Sequence, residues 1–164
     1  MMFLLITIGN ERYGIDVSHV VKVIPPVAVK EIPCTPDYIS GLLNFHGHPI
    51  PVIDINYLYV QQPVSIYLGS RIIVVDLMHS KKEEGTESIL LGILAEGVTE
   101  AIHIDQKSLV NSGIDMTDRS FVNRVVMNDK EIIQLVNLAN LVPDQWKSKI
   151  LQANTLLADE VLDQ

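Results

Sequence analysis

The sequence has one cysteine and few cations, and each shortage excludes a class of protein. Because Cys34 is the only cysteine among 164 residues, no internal disulfide can form, and the chain suits a reducing compartment. Twelve Lys and Arg against 20 Asp and Glu give a net charge of −8, which argues against nucleic acid and anionic membrane surfaces as partners. No apolar run reaches the roughly 18 residues of a membrane span. We expect a cytoplasmic protein with no direct membrane insertion.

Motifs for catalysis or nucleotide binding are also missing. The sequence contains no GxSxG elbow, no P-loop and no GxGxxG stretch. His46 and His48 could share one strand face, but no third metal ligand sits at a recognisable spacing. We therefore predict no enzyme, no cofactor and no metal. One alternative stays open, a small-ligand or metal-binding β-barrel module that uses Cys34, His46 and His48.

The segment from Tyr38 to Leu58 has the clearest secondary-structure pattern in the sequence. Two runs rich in Ile, Val, Leu and Phe, Ile39–Phe45 and Pro49–Ile55, are typical of buried strands. Between them Gly47 can adopt a positive φ in a tight turn. Asp54 can cap a short helix by accepting from its first free N–H groups. The segment predicts a hairpin followed by a helical turn.

The pattern of short strands repeats along the chain. Gly14-Ile15 recurs as Gly92-Ile93 at an offset of 78, and the run 50–55 recurs as 133–138 at an offset of 83. Two similar offsets in the same order predict two related small β subdomains, and many short strands indicate barrels. From residue 143 the pattern becomes helical, with an apolar stripe on an amphipathic helix predicted over 143–164. The stripe consists of Trp146, Ile150, Ala153, Leu157 and Val161.

Several of these segments together resemble the CheW-like domain, the coupling module of bacterial chemosensory arrays. The likeness runs from about Phe3 to Leu141. It is carried by Gly9–Asp16, Ile32-Pro33 with Pro36, Gly41–Asn44 with Gly47, Pro51–Ile55, and Gly92 with Gly97-Val98.

The resemblance implies an all-β fold of two five-stranded β barrels around a shared apolar core. We expect one domain over 1–142, with subdomains at roughly 25–60 plus the N-terminal strands and at 70–140, and a C-terminal helix over 143–164. The implied function is a non-enzymatic adaptor that joins a chemoreceptor cytoplasmic tip to the regulatory domain of a CheA-type histidine kinase. Segment 91–100 is similar to adaptors of Wsp-type surface-sensing systems.

The resemblance also implies two partner-binding sets. The receptor groove would consist of Val20, Lys22, Val23, Gly41, Asn44, His46 and Gly47. The kinase-facing residues would be Val98, Thr99 and Glu100. Two positions depart from the family pattern: His46 replaces the usual Arg before the turn glycine, and Lys22 replaces a frequent acidic residue. Because Arg and His differ in charge, reach and donor number, the receptor contact is expected to differ from the usual one.

Overall fold

The structure, a computed structural model, describes residues 1–78, 84–85, 87–110 and 122–149. In this part the chain is mostly β, as predicted. The strands are β1 (Met2–Ile8), β2 (Glu11–Asp16), β3 (Val20–Ile24), β4 (Ile39–Phe45), β5 (His48–Asp54), β6 (Arg71–Asp76), β7 (Leu90–Ala95), β8 (Ala101–His103), β9 (Leu109–Val110), β10 (Val122–Asn128) and β11 (Glu131–Val136).

Helical structure is short in the described ranges. The helix α1 (Ile55–Val60) follows β5, and single turns of 3-10 helix cover Val17–His19, Gln106–Ser108 and Leu138–Asn140. Residues 144–149 are also helical. None of the helices described has the length and apolar character that a membrane crossing requires.

Two sheets form two barrel-like subdomains, which confirms the predicted fold class. One sheet has six described strands in the order β8-β1-β2-β11-β10-β9, and the other has five in the order β3-β6-β7-β5-β4. Each sheet wraps its own apolar cluster, and a third cluster fills the space between the sheets. The first interior contains Phe3, Leu5, Ile104, Val126, Ile133 and Leu135. The second contains Leu43, Ile50, Val52, Ile72 and Val74. The shared core includes Ile6, Ile15, Ile53, Ile73, Ile93 and Leu141.

We expected subdomains at roughly 25–60 plus the N-terminal strands, or with those strands crossing between the barrels, and at 70–140; in the sheets, the N-terminal hairpin does cross. The β1–β2 hairpin joins β10 and β11 from the end of the chain, and the β6–β7 hairpin joins β3, β4 and β5. Each subdomain therefore takes one hairpin from the other half of the sequence. The physical reason is that strand pairing is long-range, so chain order alone does not assign a hairpin to a sheet.

The pairing registers confirm the internal repeat. Gly14 of β2 lies opposite Leu135 of β11 in parallel pairing. Gly92 of β7 lies opposite Val52 of β5, also in parallel pairing. The two glycines are 78 residues apart and their partners are 83 apart, which are the offsets found in the sequence. The two sheets are thus built on the same plan with their hairpins exchanged.

Asp54 caps α1 as predicted and also holds the loop that follows it. Its Oδ1 accepts from the Tyr57 N–H at 2.9 Å, and its Oδ2 accepts from the Val64 N–H at 2.9 Å. The side chain of Asp54 and the residue Val64 are buried, whereas Tyr57 is partly exposed. Burial raises the pKa of the Asp54 carboxyl, although the hydrogen bonds from Tyr57 and Val64 act in the opposite direction.

Of the predicted helix over 143–164, the structure describes residues 143–149, and residues 144–149 are helical. Within residues 144–149, Trp146 packs against the shared core, as the apolar stripe predicts. The remaining members of the stripe, Ile150, Ala153, Leu157 and Val161, lie outside the described residues.

Candidate partner-binding surface

The strand β3 forms an edge of the five-stranded sheet and has no buried side chain. It pairs with β6 on one side, and the strand order places no described strand on the other. Val21 is 51% exposed and Val23 is 38% exposed, and Lys22 between them is exposed as well. Val20 is only partly buried, against the shared core. An apolar strand edge open to solvent is the kind of surface that binds another chain.

The hairpin turn between β4 and β5 is the second part of the predicted receptor groove. Its two central residues, His46 and Gly47, both have positive φ, at 50° and 82°. Positive φ at both positions characterises the type I′ turn. The exposed Asn44 accepts from the Gly47 N–H through Oδ1 at 2.9 Å, which supports the turn. The His46 ring meets the Phe45 ring edge to face, with centroids 4.5 Å apart.

The sequence predicted the positive φ of Gly47 but missed that of His46. The repeat shows a related turn between β10 and β11, where Asp129, 83 residues after His46, has a φ of 54°. Asp and Asn tolerate this left-handed region better than most residues. Histidine enters this region less readily than asparagine, whose short side chain can form local hydrogen bonds there.

Replacing His46 by asparagine should raise the free energy of unfolding by about 0.5–1 kcal/mol, because asparagine enters the left-handed region at lower cost. Urea denaturation of both proteins measures the difference. His48→Asn is the control, since His48 lies in β5 outside the turn's central positions. An equal gain in both variants would show that backbone strain at His46 is not its cause.

The two parts of the groove lie at opposite ends of the sheet order. The barrel brings these edges around one interior, because Ile24 of β3 and Phe45 of β4 pack against the same cluster. The segment after β3 returns along β4, where Lys30 and Leu42 exchange backbone hydrogen bonds of 2.9 and 2.8 Å. Together β3 and the β4–β5 turn form a candidate surface on one barrel.

Gly41 does not belong to the exposed surface, which corrects its predicted role. It is buried, and its φ of 147° lies in a region that favours glycine. A Cβ atom at Gly41 would stand 2.3 Å from the Lys30 carbonyl oxygen. Gly41 therefore allows the close approach of two backbones that closes the barrel, and it is not positioned to contact a partner.

The kinase-facing set is divided between core and surface. Val98 is 8% exposed and packs in the shared core, so it is not available for direct contact. Thr99 and Glu100 are exposed in the connection between β7 and β8, where the chain crosses from one sheet to the other. Glu100 forms an ion pair with Arg12 at 3.0 Å.

An exposed apolar loop lies next to this connection and was not selected from the sequence. Ile66, Tyr67 and Leu68 follow one another, and Leu68 is 93% exposed. The Gly97 N–H donates to the Tyr67 hydroxyl at 2.9 Å, and the Val98 N–H donates to the Gly69 carbonyl at 2.9 Å. The signal in the sequence is three consecutive apolar residues in the connection between α1 and β6, where polar residues are usual.

The alternative site of Cys34, His46 and His48 gains no support. In the described ranges no three side chains from His, Cys, Asp and Glu are grouped so that they could hold a metal ion. Cys34 is exposed in a turn with a φ of 61°, and both histidines are exposed on the β4–β5 hairpin. The hypothesis of a metal-binding module therefore has no geometric basis here.

Comparison with known proteins gives consistent matches. A model of the CheW-like domain family matches residues 2–145. The chain is 31% identical over 107 residues to a chemotaxis protein CheW of Klebsiella aerogenes, with 65% of the chain and 59% of that protein covered. It is 27% identical over 114 residues to a chemotaxis protein CheW of Treponema pallidum, with 65% and 61% covered. These matches span about three fifths of the length of the curated relatives.

A solved structure shares the fold over most of its length. The crystal structure of the scaffolding protein TtCheW from Thermoanaerobacter tengcongensis superimposes with a TM-score of 0.71 and 28% sequence identity. The match covers 87% of each chain. The fold described above, with two barrel-like subdomains, therefore has a counterpart in a scaffolding protein.

Proposed function

The chain belongs to the CheW-like domain family, and from this membership we propose that it is a non-enzymatic scaffold of a bacterial chemosensory system. In this role it joins the cytoplasmic tip of a chemoreceptor to a CheA-type histidine kinase. The names of its relatives support the role: chemotaxis protein for the curated ones and scaffolding protein for the solved one. In the cell, the protein would lie in the cytoplasm, at arrays of membrane-bound receptors.

The observation that carries the proposal is the exposed apolar edge formed by β3. A soluble chain would ordinarily protect such an edge with charges, prolines or a covering element. Here Val21 and Val23 stay open to solvent with one cation, Lys22, between them. We propose that the receptor tip covers this strand together with the β4–β5 turn. The contact would depend on complementary shape and apolar packing and would need no catalytic groups.

Replacing Val23 by aspartate should weaken receptor binding about tenfold or more, because an unpaired carboxylate would be buried in an apolar contact. The measurement is binding of a purified receptor cytoplasmic fragment by calorimetry. Val60→Asp is the matched control, since Val60 is 40% exposed on α1, outside the proposed surface. Equal losses in both variants would contradict the assignment of β3, and binding of the unaltered chain to neither receptor nor kinase would overturn the scaffold role.

The kinase contact is proposed for Thr99, Glu100 and the neighbouring loop Ile66–Leu68. Their support is exposure and proximity, since the Tyr67 hydroxyl accepts the Gly97 N–H next to this connection. Val98 contributes indirectly, because its buried side chain anchors the connection between β7 and β8 to the shared core. Membership of the Wsp-type subfamily, suggested by segment 91–100, stays a hypothesis that the identity of the receptor and of the pathway output would decide.

A further inference from the structure

The connection between α1 and β6, residues 61–70, is held by hydrogen bonds although it contains no regular secondary structure. Two carboxylates at the ends of neighbouring strands accept from successive N–H groups of this connection. Asp54, at the end of β5, accepts from Val64, and Glu96, directly after β7, accepts from Ser65. Val64 is also buried. The first half of the connection is therefore fixed to the five-stranded sheet.

Ser70 holds the second half of the connection from inside. Its side chain is fully buried. The Ser70 hydroxyl donates to the Ser65 carbonyl and accepts from the Tyr67 N–H at 3.1 Å. The Ser70 N–H donates to the Tyr67 carbonyl at 3.0 Å. Because a buried hydroxyl with both partners in place rigidifies the backbone around it, we expect residues 65–70 to keep one conformation.

Tyr67 holds the same turn from outside. Its ring lies against Gly69, where a Cβ atom would stand 2.7 Å from Cε2 of the ring. Its hydroxyl accepts from the Gly97 N–H at 2.9 Å. The Tyr67 side chain is thus directed back onto the protein, whereas its neighbours Ile66 and Leu68 are 66% and 93% exposed. The connection therefore presents two aliphatic side chains, Ile66 and Leu68, which we call the tip.

We propose that Ser70 and Tyr67 are positioning residues, which fix the tip in one conformation so that it enters an apolar recess on the kinase regulatory domain. The inference rests on the proposed function, because it needs the kinase contact of this loop. Its physical basis is preorganisation. Ordering a flexible loop during binding costs conformational entropy, and a loop that is ordered beforehand avoids that cost.

The kinase is the partner to which the tip is assigned because the tip is joined to the proposed kinase contact. The N–H groups of Gly97 and Val98 donate to the Tyr67 hydroxyl and to the backbone of the connection, each at 2.9 Å. Thr99 and Glu100 follow directly and are exposed. The tip and these two residues therefore belong to one continuous surface, and a partner that covers Thr99 and Glu100 meets the tip as well.

A double-mutant cycle in the full chain tests the proposal, with binding of a purified kinase regulatory domain measured by calorimetry. Replacing Ile66 and Leu68 together by alanine should weaken binding about tenfold or more, and Ser70→Ala alone should weaken it about three- to tenfold. Added to the doubly substituted tip, Ser70→Ala should weaken binding by less than about twofold, since no contact is left to position. A merely structural role of Ser70 would weaken binding by the same factor in both backgrounds.

Matched variants control for exposure and for loss of a hydroxyl. Ile132→Ala should leave binding unchanged, because Ile132 is exposed like the tip but lies on β11. Tyr67→Phe keeps the ring and removes only the hydroxyl, so it replaces Ser70→Ala if that variant folds poorly, and it should weaken binding about two- to fivefold. Tyr57→Phe is its control, since the Tyr57 hydroxyl donates to Asp37 and not to the connection.

Hydrogen exchange in the unbound chain tests the preorganisation without the kinase. The Tyr67 amide should exchange at least about tenfold more slowly in the unaltered chain than in Ser70→Ala. Equal exchange, or equal binding losses from Ser70→Ala in the two backgrounds, would overturn the proposal. Undiminished binding after substitution of the tip would overturn it too but would leave the scaffold role intact. Failure of the unaltered chain to bind the kinase would overturn the proposed kinase contact together with the proposal.

Discussion

Replacing Gly41 by alanine should lower the free energy of unfolding by about 3–5 kcal/mol, the largest effect that we expect from adding one methyl group at a glycine of the described ranges. Two costs combine. A φ of 147° is strained for any L side chain, and the new Cβ would stand 2.3 Å from the Lys30 carbonyl oxygen. Backbone, unlike a flexible side chain, cannot move aside, so the hydrogen bonds between Lys30 and Leu42 should be lost. Chemical denaturation measures the loss.

Gly47→Ala is the matched control for Gly41→Ala, because both glycines lie in the same hairpin. Gly47 also has a positive φ, of 82°, but a Cβ there would meet nothing within 4 Å. The backbone cost alone should give a loss of about 1 kcal/mol. If the two variants lost equal stability, close approach of Lys30 would not be the cause, and the barrel closure described for Gly41 would be wrong.

Replacing Asp54 by alanine should lower the free energy of unfolding by about 2–4 kcal/mol. The variant leaves the Tyr57 and Val64 N–H groups without their acceptor, and the bond to Val64 is buried, so that water cannot easily replace it. The loss should loosen α1 and the following loop together, which hydrogen exchange at Val64 can follow. Asp105→Ala is the control, because Asp105 caps an exposed turn through the Lys107 N–H at 3.2 Å and should cost under about 1 kcal/mol. If both variants lost a similar free energy of unfolding, burial of the Asp54 hydrogen bonds would not be the reason for the larger loss expected there.

The same carboxyl should give a pH dependence of defined sign. Burial raises the pKa of Asp54 above its ordinary value of 3.8, so the folded chain holds this proton more tightly than the unfolded chain. The resulting stabilisation is full below pH 3.8 and is lost as the pH rises through the folded-state pKa. The stability of the wild type relative to Asp54→Asn should therefore fall over this range and then level off. A difference that rises with pH would show that the hydrogen bonds, and not burial, dominate.

Local patterns predicted the local structure well. The strands around residues 39–54, the glycine turn and the Asp54 cap are set by neighbours in the chain, so sequence patterns report them directly. The internal repeat was visible for the same reason, since its offsets recur in the strand registers. The candidate site was predicted less completely. Its turn and β3 are largely exposed and stay predicted contact residues, whereas Gly41 and Val98 are buried.

The sequence by itself determined the class of this protein: all-β, built from a repeated unit, in the CheW-like family, without catalytic motifs. Only the tertiary structure decided which hairpin joins which barrel, because strands distant in the chain pair through contacts that no local pattern encodes. It likewise decided which residues face a partner. Val20 and Val98 are the same residue type at equivalent places of the repeat, 78 residues apart, but Val20 is only partly buried on the edge strand β3 and Val98 is buried in the shared core. Exposure depends on what packs against a residue, and packing is a property of the assembled sheets.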